Sequence, residues 1–89
     1  MFLKTVGHIG GGGEVNLFRL EADHRYDGVV YPVGTTWLRW GGDGPNYGHG
    51  PNYLPTADGL ESFARGAGYK LAGKPNYQHG FVVVELALV

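Results

Sequence analysis

The sequence predicts an α+β fold: a small, mostly antiparallel sheet of four to five strands with one short helix packed on one face. Three observations carry this reading. Several short β-branched and aromatic runs are punctuated by glycine, one stretch has helical spacing, and Phe81 to Val89 forms a closing run too apolar for anything but a buried strand.

Phe2 to Ile9 mixes β-branched and aromatic residues and stops at Gly10-Gly11-Gly12-Gly13, which predicts a first strand and a flexible connection. Val15 to Ala22 resumes as strand, with Phe18, Leu20 and Ala22 on one face and Leu17, Arg19 and Glu21 on the other. Asp27-Gly28 favours a tight hairpin turn that joins this strand to Val29 through Val33. Pro32 and Gly34 interrupt the run, because proline gives no N–H to a ladder, and Thr35 to Trp40 continues as strand. Gly41 to Pro55 lacks any periodicity and is predicted to be a long loop, a kind that in a small domain is more often functional than not.

Asp58 and Glu61 have the spacing of a capping box, and Leu60, Phe63, Ala64 and Ala67 follow at one helical face. That helix should stop at Gly66 or Gly68. Tyr69 to Ala72 begins a return strand, and 73–80 forms a second loop. Val82, Val84, Leu86 and Leu88 then line one face of a last, central strand.

Eighty-nine residues make a single domain, 1–89, whose thin core buries only about 60 to 65% of the unfolded surface. With no cysteine there are no disulfides, no zinc thiolates and no thiol catalysis. Seven Lys and Arg against eight Asp and Glu give a net charge of −1 with the basic residues scattered, which argues against nucleic acid. No apolar run suits a signal peptide or a membrane span, so the expected location is the cytoplasm, with no membrane partner. Seventeen glycines, concentrated at 10–13 and 41–50, mark loops.

The most informative motif is a duplication, Pro45-Asn46-Tyr47-Gly48-His49-Gly50 and Pro75-Asn76-Tyr77-Gln78-His79-Gly80, with a third Pro-Asn-Tyr at 51–53. Proline and asparagine specify turns, and each turn then projects a tyrosine and a histidine from a fixed backbone. Trp40, Tyr47, His49, Tyr53, Tyr77 and His79 are therefore the candidate ligand- or partner-binding residues. Of the two tryptophans, Trp40 stands next to the glycines and is the one expected at an exposed loop mouth.

The histidines at 8, 24, 49 and 79 show no ligand spacing, so no metal is expected. Gly10 to Gly13 is followed by strand character instead of a helix and lacks the lysine of a phosphate loop, so no cofactor is expected either. The only serine, Ser62, lies within the helix, which leaves His49 or His79 with Glu14, Asp43 or Glu85 as the sole acid–base inventory. Glu85, set in an apolar strand, reads more simply as a solvent-facing side chain.

The expected function is accordingly a non-catalytic binding protein that recognises a protein partner, with a nucleotide or sugar as the second choice of ligand. Two alternatives stand beside it: a small enzyme using paired Tyr and His on a phosphodiester or glycosidic substrate, and a structural subunit of an assembly such as a virion. A homo-oligomer is compatible with both the thin core and the apolar last strand. Pro51-Asn52-Tyr53-Leu54-Pro55-Thr56-Ala57-Asp58, running into a helix and then the Phe81 strand, resembles the C-terminal half of small phage-encoded α/β sandwich proteins. The likeness covers under half the chain and rests mostly on turn and cap residues. Separately, by analogy with a size class and not by homology, an 89-residue protein with these traits is of a kind seen among phage or mobile-element accessory proteins.

Overall fold

The computed structural model describes residues 1–9, 13–41, 55–78 and 80–89. Among these described residues, eight strands and one helix follow in the order β1 (Phe2–Ile9), β2 (Gly13–Arg19), β3 (His24–Tyr26), β4 (Val29–Tyr31), β5 (Thr36–Gly41), α1 (Ala57–Gly66), β6 (Tyr69–Leu71), β7 (Asn76–Gln78) and β8 (Phe81–Leu88). The α+β class and the antiparallel pairing match the sequence reading, but the strand count does not. The main sheet has six strands in the order β1-β2-β5-β8-β6, with β7 also on β8, and β3-β4 forms a second, two-stranded sheet. The four strands of only three residues are too short for a two-residue alternation to stand out in sequence.

Period-two alternation gives the sheet two different faces. Val15 and Leu17 of β2, Leu38 and Trp40 of β5, and Val82, Val84 and Leu86 of β8 turn to one side, where Leu60 and Ala64 of α1 complete the larger core. Phe63 and Ala67 pack at its margin, so the helical face read from the sequence is the buried one. On the other side Trp37 and Val83 meet Tyr31, with Phe18, Leu20 and Tyr26 packed around them. The result is three layers: helix, sheet and hairpin. Central β8 has β5 along one edge, and β6 and β7 in succession along the other. The apolar last strand thus lies inside the sheet and not at an edge. Leu88, expected on the buried face, is 72% exposed beyond the helix.

The Asp27-Gly28 turn forms as expected, both residues with positive φ (51° and 78°), the arrangement whose twist matches a two-residue hairpin. It joins β3 to β4, however, and not β2 to the strand after it. Leu20 and Thr35 hold the base of this hairpin against the main sheet, since Leu20 N–H donates to Thr35 O and Gly34 N–H donates to Leu20 O, each at 2.9 Å.

The helix starts two residues earlier than the capping box suggested. Thr56, in extended conformation, is the N-cap, and its Oγ1 accepts from Gly59 N–H at 3.1 Å. Asp58 instead sits in the first turn, where its charge faces the positive end of the helix. The stop falls where expected, after Gly66, with Gly68 at φ 91°.

Candidate functional site

The register across the sheet places the ends of three connections in one row. Ile9 faces Gly13, Glu14 faces Gly41, Gly41 faces Phe81, and Phe81 faces Gln78. The chain after β1, the chain after β5 and the chain between β7 and β8 thus all leave the same end of the sheet. Tyr77 adds a second tie, because its hydroxyl donates to Pro55 O at 2.9 Å. Of the two anchors of the connection between β5 and α1, Gly41 is thus held against β8, and Pro55 against β7, the strand that carries the second Pro-Asn-Tyr motif.

That second motif is not the turn its residues suggested. Asn76 and Tyr77 are strand residues of β7, paired with Val83 and Val82 of β8, and Pro75 precedes the strand where its missing N–H costs no ladder bond. The side chains alternate accordingly. Tyr77 goes to the helix side and Asn76 to the hairpin side, where its amide donates to Tyr26 O at 3.1 Å. Although the Tyr77 ring is 43% exposed, its hydroxyl end lies against Pro55, and burial pushes the phenol above its ordinary value. Tyr47, His49, Tyr53 and His79 lie outside the described residues.

Trp40 contradicts its expected exposure. It is only 1% exposed and lies in the larger core, with its indole directly against Gly13. A glycine beside a tryptophan here signals room for the ring, not access for solvent. Trp37, at 6% exposure, is core as well. The indole N–H groups of both tryptophans and the Tyr26 hydroxyl are buried with no partner among the described residues. Burial pushes the Tyr26 phenol up to about 12, against the lowering effect of the Arg39 charge.

The hairpin-side face at this end of the sheet is polar. Thr5 hydroxyl donates to Asn16 Oδ1 at 2.6 Å, and Asn16 amide reaches Glu14 Oε2 at 3.5 Å. Arg39 extends along β5 over Gly41, where an added Cβ would stand 2.9 Å from Nη1, and its guanidinium carbon is 5.3 Å from the centre of the Phe81 ring. No carboxylate among the described residues lies within ion-pair distance of Arg39. Gln78, whose amide donates to Asn76 Oδ1 at 3.1 Å, closes the row. Arg39, Phe81 and Gln78 were not singled out from the sequence. The signal for the first two was available in the alternation of β5 and β8, which puts 39, 81 and 83 on the face opposite the core.

Glu14 belongs to this surface, whereas Glu85 faces Trp37 in register, four residues along β8 from Phe81, and is exposed as its simpler reading required. His8 stands opposite Glu14 on β1, while His24 packs edge-on to Trp37 at 5.0 Å. The two are at opposite ends of the sheet face. Among the described residues no group of three His, Cys, Asp or Glu is placed to hold a metal, and no helix is long and apolar enough to cross a membrane.

These features define an α+β domain of three layers with a polar, aromatic surface at one end of its main sheet. No protein-family model, no curated protein and no solved structure matches the chain.

Proposed function

We propose that this chain is a binding module that recognises a protein partner through the end of the sheet from which its Gly-, Tyr- and His-rich connections leave. The observation that carries the reading is the shared row: Gly41, Phe81 and Gln78 are neighbours in register, and Tyr77 ties the far anchor, Pro55, to the same place. The surface beside them consists of Arg39 over Phe81 with Asn16, Glu14 and Gln78. Arginine, aromatic rings and side-chain amides spread along a sheet face suit a broad contact with another macromolecule better than they suit a chemical step. The setting proposed for it, an accessory protein of a phage or mobile element, rests on analogy with other proteins of this size.

The test is site-specific photo-crosslinking in a source-cell lysate, with the photoreactive residue placed in turn at His8, Gln78 and Arg65. Arg65 lies on α1, on the opposite side of the sheet. The reading requires one protein to crosslink from positions 8 and 78 and not from 65. Crosslinks from 65 alone, or none from 8 and 78, would sink it.

A further inference from the structure

The two edges of the main sheet are not equivalent. One is broken into β6 and β7, strands of three residues each, with Pro75 immediately before the second. Short pieces and proline are the usual means of blunting an edge. The other edge is β1, eight residues long; among the described residues it pairs only with β2, and its outward N–H and C=O groups meet no strand. Its apolar residues are conspicuous: Phe2 is 53% and Leu3 36% exposed.

Beside this edge runs a groove of 260 Å³ between β1 and α1, walled by Lys4, Thr5 and Val6 on one side and by Ser62, Phe63, Gly66 and Ala67 on the other. The Phe63 ring lies directly on Gly7, where any Cβ would collide with it, so the helix is seated closely at this point and the groove has a firm wall. Register shifts make Leu3 and Val6 the extra residues of two bulges, and Val6 turns to the helix side, where it packs against the core. The volume is below the roughly 300 to 1,000 Å³ of a small-molecule site. One aliphatic side chain fits that space better than a free ligand does.

We propose that the β1–α1 groove takes up an extended peptide segment of a protein partner. The segment adds as a strand to the open edge of β1, seats one aliphatic side chain against Phe63 and Ala67, and places an acidic group at Lys4. The chemistry on both sides of the groove points to this occupant. An unpaired strand edge recognises peptide backbone, the adjacent apolar wall selects an alternate side chain, and Lys4 is the only charged residue among the described residues that line the groove. A second copy of the chain is a poorer occupant. Two β1 strands pairing over their full length would set the bulges and Lys4 of one copy against those of the other, whereas a short peptide brings neither a bulge nor a like charge. This surface is separate from the loop end of the sheet, and the proposal stands without the reading given for that end.

The experiment is selection of short random peptides from a display library on the full chain, followed by anisotropy titration of fluorescein-labelled winners. The selected peptides are expected to alternate aliphatic and other residues with an Asp or Glu nearby. Lys4→Glu reverses the charge at the groove, and Ser62→Trp fills it from the exposed side of α1. Each is expected to weaken binding at least about tenfold while melting as the parent does. N-methylation of the peptide backbone is expected to abolish binding, which a merely apolar pocket would not require. Overturning results are no enrichment above an unrelated protein, unchanged affinity in Lys4→Glu, or equal binding of the N-methylated peptide. A dimer in sedimentation that Ser62→Trp dissolves would assign the groove to a second copy and equally overturn the proposal.

Discussion

Replacing Gly13 with alanine tests the packing that joins the core to the loop end of the sheet. A Cβ on Gly13 would stand 2.6 Å from Trp40 Cζ2, and nearer still to Nε1 and Cε2. The indole has nowhere to retreat, because Trp40 is 1% exposed and its neighbours Val15 and Val82 are fully buried. One methyl group forced into such a site costs about 1–3 kcal/mol. For a domain of this size each kcal/mol lowers the melting temperature by about 4–8 °C, so Gly13→Ala should melt roughly 4 to 24 °C lower by circular dichroism. Gly66→Ala is the control. No heavy atom lies within 4 Å of its new Cβ, and alanine in a helix is favoured over glycine by about 0.5–1 kcal/mol, so this variant should melt higher. Trp40→Phe should relieve part of the clash, making the double variant less destabilised than the sum of the single ones. Strict additivity, or a Gly13→Ala variant that melts with the parent, would refute the packing described.

Three further outcomes follow from the structure. Thr56→Ala removes the acceptor for Gly59 N–H and should cost about 0.5–2 kcal/mol in denaturant titration, whereas Asp58→Ala, which leaves the cap intact, should cost less. The Tyr26 phenol has a higher pKa in the folded chain, about 12, than its ordinary 10.0. The folded state therefore holds the proton more tightly. Stability is unaffected below about pH 10 and falls as pH rises from about 10 towards 12, which denaturant melts on either side of pH 10 will show. Tyr26→Phe should flatten that slope and cost little stability at neutral pH, since the hydroxyl it removes is buried without a partner among the described residues.

Much of the fold was legible where the physics is local. The Asp27-Gly28 turn, the apolar face of α1 and the buried character of β8 each depend on residues within a few positions of one another. The errors arose where a distant part of the chain decides. Pro75-Asn76-Tyr77 has turn chemistry, yet β8 supplies a ladder that draws Asn76 and Tyr77 into a strand. Trp40 lies beside glycines in sequence, but its indole fills the space left by Gly13, a contact made across two strands. The hairpin of β3 and β4 was assigned to the main sheet because its turn was recognised while its partner was not. Its rings instead cover the second face, Tyr31 5.4 Å from Trp37 and Tyr26 5.3 Å from Phe81. Of the proposed binding residues, Trp40 is structural and Tyr77 is an anchor for Pro55. Alternation alone puts Arg39 and Phe81 opposite the core, but that Gln78 joins them required the register to be seen.

The central claim is that recognition resides at the loop end of the sheet. Its most direct test is the triple variant Tyr47→Ala, His49→Ala and His79→Ala, compared with the parent in melting temperature and, by quantitative mass spectrometry, in the proteins retained from a source-cell lysate. The account expects the photo-crosslinked partner to be lost while the melting temperature is kept. A variant that melts lower yet retains every partner would make these residues scaffolding and contradict the claim.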